Sequence, residues 1–377
     1  MKKLFSLLTA LLVFAGIASS QTASELVAAG LKLKADKKPA EAIEKFKAAI
    51  AINPDYYEAL YESGWCYNDL KKYTEAIAVL RKARKGWSSI PKVHFELGYA
   101  FDKTYLLDSA VACYTRCLEL KPDYSGAHKQ LGFIQYERDN YEEALRSFEK
   151  YELYTKTPIN DYVYWYRKGF MYNSQKKYAD AIAPLDKSIG LKADYINSYL
   201  EKGFAYKNLR KNDEAINMYK LAMEVDPSSH VPYNGIGEVY RDNIKNMEES
   251  ISWYKKALEK KKNERKANFG IGYCLNSLGR YSEAIPYLQS AIDVESTYTA
   301  AYVDLGYAYY MTNRYSDAIS KLEKAISLSP LNENGRYYLG LVYIAQNDRT
   351  KAQKMVDELN RLSSKHASGL QEKVNKM

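Results

Sequence analysis

Ten glycines recur at close to one interval, and no other feature constrains the fold so tightly: Gly30, Gly64, Gly98, Gly132, Gly169, Gly203, Gly237, Gly272, Gly306 and Gly340. The steps between them are 34, 34, 34, 37, 34, 34, 35, 34 and 34 residues. A fixed period of this length marks one supersecondary unit used repeatedly, with neighbours burying each other's apolar faces. Twelve residues after each glycine stands a small residue: Ala42, Ala76, Ala110, Ala144, Ala181, Ala215, Ala284, Ala318 and Ala352. Ser250 fills that slot in the seventh unit, which carries one extra residue. Four residues further on comes a large side chain, namely Phe46, Leu80, Tyr114, Phe148, Leu185, Tyr219, Tyr254, Leu288, Leu322 or Val356.

This pattern predicts two antiparallel helices per unit. In the second, apolar residues recur three and four apart, as in Ala42, Ile43, Phe46, Ala49 and Ile50, which makes one buried face. A glycine inside a helix costs about 1 kcal/mol relative to alanine. Its recurrence therefore implies a close approach, expected here between the glycine and the backbone at the small residue twelve later. Pro54, Pro122, Pro227 and Pro330 close four units at one slot, where a residue without an N–H ends the helix. Tyrosine supplies 37 aromatic residues against 10 Phe and 4 Trp, and Ala, Leu, Lys and Glu outweigh Val and Thr, so helix is favoured over sheet.

These residues resemble the tetratricopeptide repeat family, whose signature is a bulky residue, Leu, Gly, Tyr, then Ala, Phe, Ala and Pro. The ninth unit shows it as Tyr302, Leu305, Gly306, Tyr309, Ala318, Leu322, Ala325 and Pro330, and the sixth as Tyr199, Gly203, Tyr206, Ala215, Tyr219, Ala222 and Pro227. Arg336 at the last bulky slot and Tyr151 at the fourth unit's second small slot depart from it. The resemblance covers residues 23 to about 362. It implies an all-α, right-handed superhelical solenoid of about ten helix-turn-helix repeats. Three extra residues near Thr155-Lys156-Thr157-Pro158 separate a block of four repeats, 21–158, from a block of six, 159–362. Residues 363–377 are expected to form a polar cap, since the last repeat would otherwise expose its stacking face.

Residues 1–20 read as a secretory signal: Met1-Lys2-Lys3 is basic, Leu4 to Ala18 is apolar but for Ser6 and Thr9, and Ala18-Ser19-Ser20 are small. Cleavage is expected after Ser20. Gln21, where a lipoprotein would carry cysteine, leaves the mature chain without a lipid anchor, and no later run is long enough to span a bilayer. The expected destination is periplasmic or extracellular, in a bacterial envelope.

The family's geometry implies that two slots of each first helix face a groove. The slot after the glycine holds Trp65, Tyr99, Phe133, Phe170, Phe204, Glu238, Tyr273 and Tyr307, and the slot four residues earlier holds Tyr61, Phe95, Tyr166 and Phe269. Polar companions follow six of these rungs, three residues on, at Asn68, Asp102, Asn173, Lys207, Arg241 and Asn276. Rings at such slots either stand open as a binding ladder or pack between neighbouring first helices, and both arrangements satisfy the pattern. The expected ligand is an extended peptide or protein partner, with the asparagines bonding its backbone amides. A glycan stacking on the same rings is the alternative. Family members that capture acidic chaperone C-termini carry an asparagine immediately after the glycine; none of the ten repeats does.

The net charge of +9 is too mild to imply nucleic acid. Lys255, Lys256, Lys260, Lys261, Lys262, Arg265 and Lys266 form a basic cluster that suits a solvated face or, as a second alternative, a membrane-surface organiser. No phosphate loop, H-E-x-x-H or G-x-S-x-G motif occurs, so neither an enzyme nor a cofactor is expected. His94 and His128, 34 residues apart, read as packing residues rather than metal ligands, and Cys113 and Cys117 as buried thiols.

Overall fold

The computed structural model describes residues 21–377, so the proposed leader lies outside the described residues. Every regular element among them is a helix. Repeat 1 pairs α1 (Ala23–Ala35) with α2 (Pro39–Ile52), and repeat 2 pairs α3 (Tyr57–Asp69) with α4 (Tyr73–Gly86). Repeats 3 and 4 are α5 (Pro91–Lys103), α6 (Leu107–Leu120), α7 (Ser125–Glu137) and α8 (Tyr141–Tyr154). Repeats 5 and 6 are α9 (Tyr162–Ser174), α10 (Tyr178–Leu191), α11 (Ile196–Asn208) and α12 (Asn212–Val225). Repeat 7 comprises α13 (Val231–Glu238), a π-helical turn over Val239–Ile244, and α14 (Met247–Lys260). Repeats 8 and 9 are α15 (Arg265–Ser277), α16 (Tyr281–Val294), α17 (Thr299–Met311) and α18 (Tyr315–Leu328). Repeat 10 is α19 (Glu333–Ala345) and α20 (Arg349–Arg361), followed by α21 (His366–Asn375). The helices divide into two compact units, one ending at Ile159 and the other beginning at Asn160.

The packing corrects the expected role of the glycines. A Cβ placed on Gly169 would lie 2.5 Å from Leu185 Cγ, on Gly203 2.8 Å from Tyr219, and on Gly306 2.6 Å from Leu322 Cγ. The closest neighbour is thus the large side chain sixteen residues later, and the backbone oxygen of the small residue twelve later follows at 3.4 Å at Gly132 and Gly306. The alanines at that slot are fully buried beside this contact. In repeat 10, Val356 is too short to fill the slot, and Leu370 of α21 lies over Gly340 instead. Leu370 and Val374 are fully buried, so α21 closes the apolar end of the last repeat.

Each helix pair turns through one residue in the left-handed region: Lys37, Lys71, Tyr105, Asp139, Lys176, Arg210, Lys245, Gly279, Asn313 and Asn347. In repeat 2 the turn is held by Lys71 N–H donating to Asn68 O and Lys72 N–H to Tyr67 O. The seventh repeat absorbs its extra residue in the π-helical turn, where the wider i→i+5 spacing accommodates one residue more. Within each unit a first helix also touches the next repeat's first helix, whereas consecutive second helices meet at most marginally. First helices therefore line the inner face of each unit.

Candidate functional site

The aromatic rungs occupy this inner face, as seams between repeats. Tyr99 meets the edge of Tyr73 from the preceding repeat at 6.3 Å between ring centres, Phe204 meets Tyr178 at 6.0 Å, and Tyr307 meets Tyr281 at 5.6 Å. The earlier slot packs against the tyrosine ahead of the next first helix: Phe95 on Tyr124 at 4.9 Å, Tyr166 on Tyr195 at 5.2 Å and Phe269 on Tyr298 at 5.0 Å. Phe133 lies edge-on to Phe148, and Phe170 lies beside Tyr166. The rings therefore pack between repeats while some of them keep an open edge. Tyr61 is buried in the core, whereas Phe204 and Tyr273 keep 37% and 40% of their surface exposed. Trp65, half-buried, carries the Lys34 ammonium 3.9 Å above its ring.

The polar companions have a role the sequence pattern did not disclose. Asn68 Nδ2 donates to the Glu96 backbone carbonyl at 3.0 Å and to Glu96 Oε2 at 2.8 Å. Asn173 repeats this on Glu201 at 2.9 and 2.8 Å, and Asn276 donates to Asp304 O at 3.0 Å. The amide donors expected to meet a ligand's backbone are thus committed to the next repeat. The Oδ1 atoms of Asn68, Asn173 and Asn276 are buried and have no partner. Lys207 pairs with Glu238, Asp102 with Lys103 at 3.1 Å, and Arg241 with Asp242 at 2.6 Å. The partners Glu96, Glu201 and Asp304, together with Glu62, which pairs with Lys34, all lie two residues before a repeat glycine, a recurrence visible in the sequence but masked by the aromatic series beside it.

Burial sets the electrostatics of these acids. It pushes the Glu96 carboxyl up to about 6 despite the Asn68 hydrogen bond, and raises Glu201 in the same way. Asp304 is pushed up to about 7 by burial, with the Arg241 charge opposing. Three cavities open beside these acids, the one at Asp304 measuring about 610 Å³ and bordered by Arg241, Phe269 and Tyr273; the other two border the glutamates. One, of about 280 Å³, lies between repeats 2 and 3 against Trp65, Asn68, Phe95, Glu96 and Tyr99. The other, of about 310 Å³, lies against Glu201, Phe204, Tyr219, Asn234, Glu238 and Glu264.

Other candidates resolve into packing. His94 and His128 bond the carbonyls of Ser88 and Pro122, each at 2.8 Å, and burial holds both below the usual imidazole range. All four cysteines are free and buried. Lys255, Lys256 and Lys260 to Lys262 are exposed; Lys256 sits 4.1 Å over the Trp253 ring, and Arg265 pairs with Glu295 at 2.8 Å. Among the described residues no acid, histidine or cysteine cluster could hold a metal ion, and no helix is long and apolar enough to cross a membrane.

Models of the tetratricopeptide repeat match residues 33–85 and 275–320, 91–124, 196–229 and 232–263, and 303–359. The chain is similar to heat shock protein STI1 of Saccharomyces cerevisiae, 28% identical over 114 residues, 30% of this chain and 19% of STI1. It is also similar to the mitochondrial import receptor subunit TOM70 of Mus musculus, 27% identical over 170 residues, 42% of this chain and 27% of TOM70. These matches span under half the length of either relative. Among solved structures, the type IV pilus biogenesis factor PilW superposes with a TM-score of 0.50 at 19% identity, over 55% of this chain and 97% of PilW.

Proposed function

This chain belongs to the tetratricopeptide repeat family, and on that premise we propose that it is a non-catalytic scaffold holding an extended polypeptide along the inner face of its first helices. The observation that carries this reading is the set of ring seams whose outer edges stay open, Phe204 and Tyr273 above all. A solvent-facing ring on a rigid helix gives large contact area at little entropic cost, which is how such surfaces anchor a partner. The asparagine clamps hold successive first helices in register, so the rungs are positioned before any partner arrives. The leader-like run over residues 4–18 supports a place in envelope assembly, with the mature chain starting at Gln21. An intact-mass measurement on exported protein tests that placement.

The groove itself is tested by Tyr99→Ala together with Tyr273→Ala. Both rings stand at the inner face, and neither belongs to the fully buried core. Partner capture from an envelope extract should fall by about ten-fold or more, equivalent to roughly 1.4 kcal/mol, while the helical circular dichroism is unchanged. Undiminished capture by the double variant contradicts the reading.

A further inference from the structure

The second glutamate-bordered cavity has a lining in which carboxylates outnumber cations. Glu201, Glu238 and Glu264 border it, against Lys266 and His230 on the basic side. Burial lowers the His230 pKa, so its ring is neutral near pH 7. Each of the three carboxylates has one oxygen engaged. Glu201 Oε2 accepts from Asn173, Glu238 Oε2 from Lys207, and Glu264 Oε2 from Asn234 Nδ2 at 3.0 Å and from Ala267 N–H at 2.6 Å. Asn234, which also borders the cavity and is only 4% exposed, has an Oδ1 with no partner. A buried acceptor without a partner thus stands beside three carboxylates, and such an acceptor left unpaired costs about 1–3 kcal/mol.

The walls are rings. Phe204 is open to solvent, and Tyr219 reaches the cavity from the second helix of repeat 6 by passing between two glycines. A Cβ on Gly203 would lie 2.8 Å from that ring, and on Gly235 2.5 Å. Gly235 stands where Glu62, Glu96, Glu201 and Asp304 stand in other repeats. Repeat 7 therefore gives up its acid at that slot to admit the phenol ring, and Glu238 and Glu264 bring carboxylates to the same space from either side. Rings beside carboxylates suit a guest that is cationic and rich in donors, as an arginine or a lysine is. A guanidinium has five donors and no acceptor, and stacks on aromatic faces.

We propose that this cavity is a socket for an arginine or lysine side chain of the bound polypeptide, so that the partner segment is basic where it crosses repeats 6 and 7. The proposal rests on the groove reading above and adds the chemistry of the occupant. The same device stands in the other unit, where Glu96 and the unpartnered Asn68 Oδ1 meet Trp65, Phe95 and Tyr99.

The test uses the full mature chain, immobilised, and pools of nonapeptides randomised except at the centre, which is arginine, lysine, citrulline, leucine or glutamate. Citrulline keeps the shape of arginine without its charge. The arginine and lysine pools should be retained about ten-fold more than the citrulline and glutamate pools, and Glu201→Gln with Glu238→Gln should erase that preference. The arginine-to-citrulline comparison on the unaltered chain needs no variant to fold. Equal retention of all pools, or retention of none, overturns the proposal. Equal retention that is nevertheless lost in Tyr99→Ala with Tyr273→Ala would leave the groove reading standing and remove only the socket. Spermidine retained with no preference among the pools would assign the cavity to a free polyamine and overturn the proposal likewise.

Discussion

At the scale of single residues, the glycines divide by what their missing side chain makes room for. Gly306→Ala drives a methyl into Leu322, and overpacking of this kind costs about 1–3 kcal/mol. Gly190, inside α10, has nothing within 4 Å of the same position, so Gly190→Ala should instead gain about 0.5–1 kcal/mol of helix propensity. Urea midpoints of the two variants, measured side by side, should move in opposite directions; a shared direction would refute this packing account. Asp304 supplies a pH signature. Burial raises its pKa from 3.8 to about 7, with Arg241 facing it and Tyr298 and Tyr338 as the neighbouring titratable groups, both phenols neutral at these pH values. The folded chain then holds this proton more tightly than the unfolded chain, so this residue's contribution to stability falls as pH rises from 3.8 through about 7. Asp304→Asn needs no proton and should flatten that fall, seen as a smaller difference between urea midpoints at about pH 5 and about pH 8. The glycine spacing was legible because a missing side chain leaves a mark in the sequence. Its closest neighbour was not, because a small and a large residue recur with the same period and spacing alone cannot say which one lies nearer.

Between elements, two devices govern how repeats are joined. The first is the left-handed turn within each pair, occupied by Lys71, Tyr105, Arg210 and others, with glycine only at Gly279. That turn left no compositional trace, since residues with Cβ bear a local strain of about 1 kcal/mol each that the packed helix pair outweighs. The second is α21, whose Leu370 does for repeat 10 what the large residue of a second helix does elsewhere. Leu370→Ala should cost about 2–4 kcal/mol and speed hydrogen exchange in α19 and α20 while leaving repeats 1–4 unchanged. Uniform exchange along the chain would show that α21 is not a local closure. The helix pairs and their buried faces were readable from period and apolar spacing. The asparagine-to-acid clamps were not, because they join residues 28 apart in two different repeats and appear only once first helices are side by side.

For the whole molecule, the repeat period made the architecture legible while the ligand stayed hidden, since a ladder of rings serves packing and capture with the same residues. Tyr61 went to the core and Tyr273 to the open edge from slots that look alike in sequence, and only the neighbours decide between them. The central claim is that the partner lies along the first helices. A photoreactive residue placed in turn at the rungs Tyr99 and Tyr273, and at the second-helix surface positions Lys82 and Lys256, both exposed, tests it in native envelope extract. The account predicts crosslinks to one polypeptide from the rungs and none from the second-helix positions; crosslinks from Lys82 or Lys256 with none from the rungs would contradict it.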